Sequence, residues 1–91
     1  MRYLIAYDIT DDRRRYRIAQ TLLDYGQRLQ ESLFLCYLES GQLQTLRARL
    51  VSHLELTEDR LHIIPLCASC WASTEAFGRA ERPEEKAFII I

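Results

Sequence analysis

Glycine and proline are scarce, at three and two among 91 residues. That scarcity excludes a glycine-rich phosphate loop. With no repeat, low-complexity stretch or linker either, a single domain over residues 1–91 is expected. No run approaches the roughly 18 apolar residues of a membrane span, so no membrane segment is expected. The first apolar run is short and ends in acids, unlike a secretory leader, which makes a cytoplasmic location the default. Three cysteines, an odd number without a secretory signal, argue for reduced thiols rather than a disulfide framework. A chain of this size buries roughly 60–65% of its unfolded surface, so self-association would supplement its stability.

Of 12 basic residues, only Lys86 is a lysine. The net charge of −1 gives no global sign of a nucleic-acid partner. The distribution does, because Arg13, Arg14, Arg15, Arg17 and Arg28 fall in one stretch while most acids lie elsewhere. Local potential, not the total, draws phosphate.

Residues 2–9 read as a strand with Tyr3, Ile5, Tyr7 and Ile9 on one side and Leu4, Ala6 and Asp8 on the other. Apolar side chains on both sides imply that both faces are covered. A helix is predicted from about Asp12 to Tyr25, with Thr10 or Asp11 as its cap and Gly26 in the left-handed position that ends helices. Its apolar side is Tyr16, Ile18, Ala19, Leu22, Leu23 and Tyr25; its wet side is Arg13, Arg14, Arg17, Gln20, Thr21 and Asp24. Arg15 points toward the apolar side, near the strand's end and so toward Asp8. Residues 28–38 are extended, and they supply two strands only with a tight reversal or sharp bend near Gln30–Ser32. Ser40 reads as the cap of a second helix to about Leu54 that buries Leu43, Leu46, Leu50 and Leu54. Residues 60–66 and 87–91 read as strands, and 67–84 as irregular with one helical turn near Ser69–Ala76. This order suggests an α+β sandwich of the ferredoxin-like βαββαβ kind.

Asp8 interrupts an apolar strand. It is either a strand-end cap for the following loop or a metal ligand. One carboxylate holds Mg2+ poorly, because the ion wants six oxygens, but a symmetric dimer supplies a second Asp8. Consecutive arginines at a helix N-terminus oppose the helix dipole, and the planar guanidinium suits phosphate oxygens. Arg13, Arg14, Arg17 and Arg28 are therefore candidates for phosphate contact, against the plainer reading of a solvated face. Cys67-Ala68-Ser69-Cys70 is a lone CxxC. Structural zinc needs four ligands, and a redox CxxC normally follows the first strand of its fold; small buried thiols are the expectation. His53 and His62 read as surface or packing residues. Tyr7 and Phe34 read as core, with stacking on a base as the alternative.

In order and spacing, several segments together resemble one family: Tyr7-Asp8-Ile9, then Asp11-Asp12-Arg13-Arg14-Arg15, Tyr25-Gly26, Gln30-x-Ser32-Leu33-Phe34 and Ile64-Pro65-Leu66-Cys67-x-x-Cys70, with an apolar C-terminal run. This is the second universal CRISPR-associated protein family, the small dimeric partner of the CRISPR integrase. The resemblance implies a ferredoxin-like protomer, a homodimer packed through its sheet faces, and a strand within 85–91 joining the partner's sheet. It further implies Mg2+ (or Mn2+) dependence, endonuclease activity on RNA or double-stranded DNA, and the CRISPR integrase and a DNA or RNA phosphate backbone as partners. By motif position Asp8, one from each protomer, is the catalytic metal ligand. Tyr7, Arg15, Arg17, Arg28 and Phe34 match positions at the cleft or in nucleic-acid contact. The family's acid and glycine after the phenylalanine are replaced here by Leu35-Cys36-Tyr37. Two other readings stay open: a structural adaptor without catalysis, and a toxin-type ribonuclease of the virulence-associated D fold.

Overall fold

The apolar first strand, β1 (Arg2–Asp8), is hydrogen-bonded along both edges in the computed structural model, which describes residues 1–80. After it come α1 (Asp12–Leu23), β2 (Gly26–Gln30), β3 (Leu33–Tyr37), α2 (Ser40–His53), β4 (Arg60–Leu66) and α3 (Ala68–Ala72). The strands form one antiparallel sheet in the order β2-β3-β1-β4. This is the expected ferredoxin-like arrangement. The strand expected within 85–91 lies outside the described residues.

Alternation along β1 sends Ile5, Tyr7 and, just past its end, Ile9 into a core with Ile18 and Leu22 of α1, Phe34 and Cys36 of β3, and Leu46 and Leu50 of α2. Leu43 and Leu54 pack against this core, so the leucine stripe of the second helix is as expected. The helix is capped by Glu39 rather than Ser40, and the Glu39 amide donates to the Gln42 side-chain oxygen at 3.0 Å.

The reversal required between 28 and 38 is present. Only Glu31 and Ser32 separate β2 from β3, and the register shifts between Arg28 and Gln30. No glycine directs this turn. Instead β1 holds its tip: the Tyr7 amide donates to the Ser32 carbonyl at 3.1 Å and the Tyr7 hydroxyl to the Glu31 carbonyl at 3.3 Å.

The first helix departs from expectation at both ends. Asp11 is its cap, accepting the Arg14 amide at 2.9 Å, and it ends at Leu23. Gly26 is not a left-handed terminator but the first residue of β2. Its role is close approach, since a Cβ there would sit 2.0 Å from the Leu35 carbonyl oxygen. The buried stripe of α1 is also narrower, at Ile18, Ala19, Thr21 and Leu22. A straight helix lying on a sheet buries one strip of its surface, so Tyr16 (65% exposed) and Leu23 (50% exposed) fall outside it. Thr21 is accommodated because its hydroxyl donates to the Arg17 carbonyl at 2.8 Å.

On the sheet face away from these helices, Leu35 is fully buried. The segment after β4 runs past this side, and Trp71 of α3 lines a groove of about 340 Å³ with Leu29, Gln30, Leu33 and Phe77. Because α3 packs through Trp71, Cys67 and Cys70 are left exposed. The expectation that the thiols of Cys67 and Cys70 are buried is therefore not met; the buried thiol is that of Cys36.

Between α2 and β4 the chain is braced to α1. The Arg14 Nε and Nη2 donate to the Asp59 carboxylate at 2.8 and 3.1 Å, and the Glu55 amide donates to the same carboxylate at 2.8 Å. These donors, the Arg14 guanidinium foremost, hold the Asp59 carboxyl below its ordinary value.

Gly26→Ala is expected to lower stability by at least about 2 kcal/mol, since the overlap is with backbone rather than a side chain that can move. Gly41→Ala, whose Cβ would meet nothing within 4 Å, should raise it by up to about 1 kcal/mol through helix propensity and chain entropy; urea midpoints compare the two. Asp59 makes a second prediction. A depressed folded-state value contributes stability above the ordinary value of 3.8, which is lost as pH falls through the folded-state value. Asp59→Asn should therefore lower Tm at neutral pH and flatten its decline in acid, and an unchanged acid limb would show that the brace carries no linked protons.

Candidate nucleic-acid interface

The five clustered arginines meet four different fates. Arg13 and Arg17, one turn apart on α1, are exposed on its outer side. Arg14 does not face outward as the helical pattern predicted. Its guanidinium, 24% exposed, is committed to Asp59 and lies 3.6 Å from Glu58, because the fold brings the α2–β4 loop under the start of α1. Arg15 turns back over the β1–α1 connection. Its Nη1 donates to the Ile9 carbonyl at 3.0 Å and the Thr10 carbonyl at 3.3 Å, and its Nη2 pairs with Asp12. Arg28 lies over the Phe34 ring, 5.2 Å from its centroid, and is 41% exposed with Glu31 at 4.0 Å. A planar cation on an aromatic face is held in orientation at little cost in hydration.

Tyr7, Arg15 and Arg28 line one cleft of about 380 Å³, together with Asp12, Tyr16 and Glu31. Phe34 forms its support from beneath: it stacks on Tyr7 at 6.3 Å between ring centroids and is fully buried. Stacking of Phe34 on a base is thereby excluded. The Tyr7 hydroxyl titrates above its ordinary value because it is buried, with nearby Arg28 acting in the opposite direction.

Asp8 is not in this cleft. Side chains of adjacent strand residues point to opposite faces, and since Tyr7 and Ile9 enter the helix-side core, the exposed Asp8 stands on the other face. The expected approach of Arg15 to Asp8 stops at the backbone, where Arg15 binds the Ile9 carbonyl. Leu4 and Ala6 of β1 share the face of Asp8 with their ladder partners, Leu35 and Leu33 of β3 and Ile64 and His62 of β4, together with Arg60. Arg60 lies directly opposite Asp8. Sequence reasoning missed Arg60, because only the β1–β4 register joins the two. Among the described residues, no three of His, Cys, Asp and Glu gather as a metal site. None of the described helices is long and apolar enough to cross a membrane.

The protein therefore presents two surfaces at the C-terminal end of β1: an arginine-bearing helix side, and an apolar sheet face ending in Asp8. The sequence and the fold match known proteins. The family described as CRISPR associated protein Cas2 matches residues 1–74. A relative from Chloroflexus aurantiacus, named CRISPR-associated endoribonuclease Cas2 1, is 46% identical over 100% of this chain and 99% of its own length. Another from Thermus thermophilus, named CRISPR-associated endonuclease Cas2 2, is 42% identical over 90% of this chain and 87% of its own. The crystal structure of a hypothetical protein from Thermus thermophilus superposes with a TM-score of 0.81 at 40% identity, covering 89% of this chain and 94% of that one. The chain belongs to the Cas2 family of CRISPR-associated proteins.

Proposed function

We propose that this Cas2-family protein works as a homodimer in CRISPR spacer acquisition. In this reading, Arg13 and Arg17 hold a DNA or RNA backbone, the CRISPR integrase is the protein partner, and paired Asp8 residues support Mg2+- or Mn2+-dependent phosphodiester hydrolysis. The observation that carries it is the position of Asp8. It ends the apolar face that α1 and α2 do not cover, where Leu4 and Ala6 are only half-buried and Ile64 is 43% exposed. A second copy packed on that face removes this apolar surface from water and sets two Asp8 carboxylates about one axis. A single protomer gathers no metal-binding trio among its described residues. Two carboxylates with waters and phosphate oxygens suit Mg2+, so the second chain completes the donor set. The names of the two relatives, endoribonuclease and endonuclease, support the nuclease reading.

The residues of this chain divide the work. The β1–β4 ladder fixes the direction of Asp8, and Arg60 opposite it sets a cation on the same face for a phosphate oxygen. Arg13 and Arg17 position the backbone without reading sequence. Arg28, laid on Phe34, extends the basic surface toward the β2–β3 tip. A bound divalent ion would supply an activated water and neutralise charge developing on the phosphate.

Asp8→Asn should lower divalent-dependent cleavage by on the order of 100-fold while leaving duplex affinity and the fold intact. Undiminished cleavage by rigorously purified variant protein would remove Asp8 from the chemistry. The incomplete donor set of one protomer favours a second reading, an adaptor without catalysis. This is the conclusion if wild-type protein binds duplex and integrase in chelator but never cleaves. For the backbone contact, the double variant Arg13→Glu, Arg17→Glu should bind duplex DNA at least about ten-fold more weakly. Its slope of log affinity against log salt should be shallower by about one for each phosphate that is no longer neutralised; an unchanged slope would place binding elsewhere.

A further inference from the structure

Cys67 and Cys70 take no part in any of the roles above, yet they form an organised pair. Both are exposed. Cys67 immediately precedes α3, and its Sγ accepts the Cys70 amide at 3.4 Å and lies 3.2 Å from the Ser69 Oγ. Across one helical turn this i, i+3 spacing lies within the reach of a disulfide. Cys36, by contrast, is sealed in the core between sheet and helices.

We propose that Cys67 and Cys70 are a redox-active dithiol that exchanges with low-molecular-weight disulfides, Cys67 attacking and Cys70 resolving. In the first step the Cys67 thiolate attacks one sulfur of R–S–S–R. A bond forms between Cys67 Sγ and that sulfur, the R–S–S–R bond breaks, and RS⁻ leaves and takes up a proton. In the second step Cys70 gives its proton to solvent and attacks Cys67 Sγ. The Cys67–Cys70 bond forms and the second RS⁻ leaves. Two electrons pass from the dithiol to the disulfide, which ends as two thiols, and an external dithiol reverses both steps.

The division of labour follows from the hydrogen bonds. Donors from Ser69 foremost, then from Cys70, stabilise the Cys67 thiolate and bring Cys67 down to about 7. Cys70 is pushed up by the neighbouring Cys67. Burial pushes Cys36 up to about 11, which makes it an internal control. A metal is the weaker occupant, since two thiols are short of the four ligands zinc takes and no third ligand joins them among the described residues. The pair also adjoins Trp71, which is 5% exposed and lines the groove against Leu33. Ring closure beside it therefore has a fluorescence readout.

The test uses the full chain, oxidised glutathione as the probe, acid quenching, alkylation and peptide mass mapping. The expected product is a Cys67–Cys70 disulfide within one chain, accompanied by a change in Trp71 emission, with Cys36 unmodified until the protein is denatured. Cys70→Ser should trap one glutathione on Cys67, and Cys67→Ser should slow modification at Cys70 at least about ten-fold. In wild-type protein, which avoids any effect of substitution on folding, the alkylation rate of Cys67 should rise with pH to a midpoint near 7. Disulfides found only between chains would overturn the proposal. So would Cys70 reacting as fast without Cys67, or thiols protected in purified protein until a chelator removes bound metal.

Discussion

The double pairing of β1 is the constraint from which the rest follows. Bonded to β3 on one edge and β4 on the other, the strand cannot rotate or slip. A shift of one residue would exchange its two faces. Tyr7 is therefore held in the helix-side core and Asp8, one residue later, on the opposite face. The same pairing holds the tip of the β2–β3 hairpin through the Tyr7 amide and hydroxyl, and this sets Arg28 over Phe34. One ladder thus positions both candidate surfaces.

The two surfaces differ in what they ask of a partner. The helix side carries free-standing cations at Arg13 and Arg17 and a supported one at Arg28, an arrangement suited to a polyanion that runs along the surface. The sheet face is apolar with a carboxylate at its rim, an arrangement suited to a second protein surface and a shared cation. Arg14 and Arg15 belong to neither. One braces the α2–β4 loop and the other the β1–α1 turn, so two members of a conspicuous basic run do structural work at the point where the chain passes from strand to helix.

The carboxylates in this region are equally divided. Asp11 caps α1, Asp12 pairs with Arg15, and Asp59 neutralises Arg14. These acids offset the unfavourable placement of arginines at a helix N-terminus. Asp8, across the sheet from this network, is left to other uses.

Local pattern was enough for β1, both long helices, β4, the ferredoxin-like order and the leucine stripe of α2, because alternation and helical periodicity are written in neighbouring residues. The reversal at 31–32 carried no turn signal and followed only from the strand order. The motif order was enough for the Cas2 family. What local pattern could not supply were the partners that arrive from far along the chain. Gly26 looked like a helix terminator until β3 was seen to pass over it. Arg14 looked solvated until the α2–β4 loop brought Asp59 beneath it, and Cys67 and Cys70 looked buried until α3 packed through Trp71 instead. Arg60 became a neighbour of Asp8 only through the β1–β4 register. Periodicity records which way a side chain points; only the packed sheet and its loops decide what it meets there.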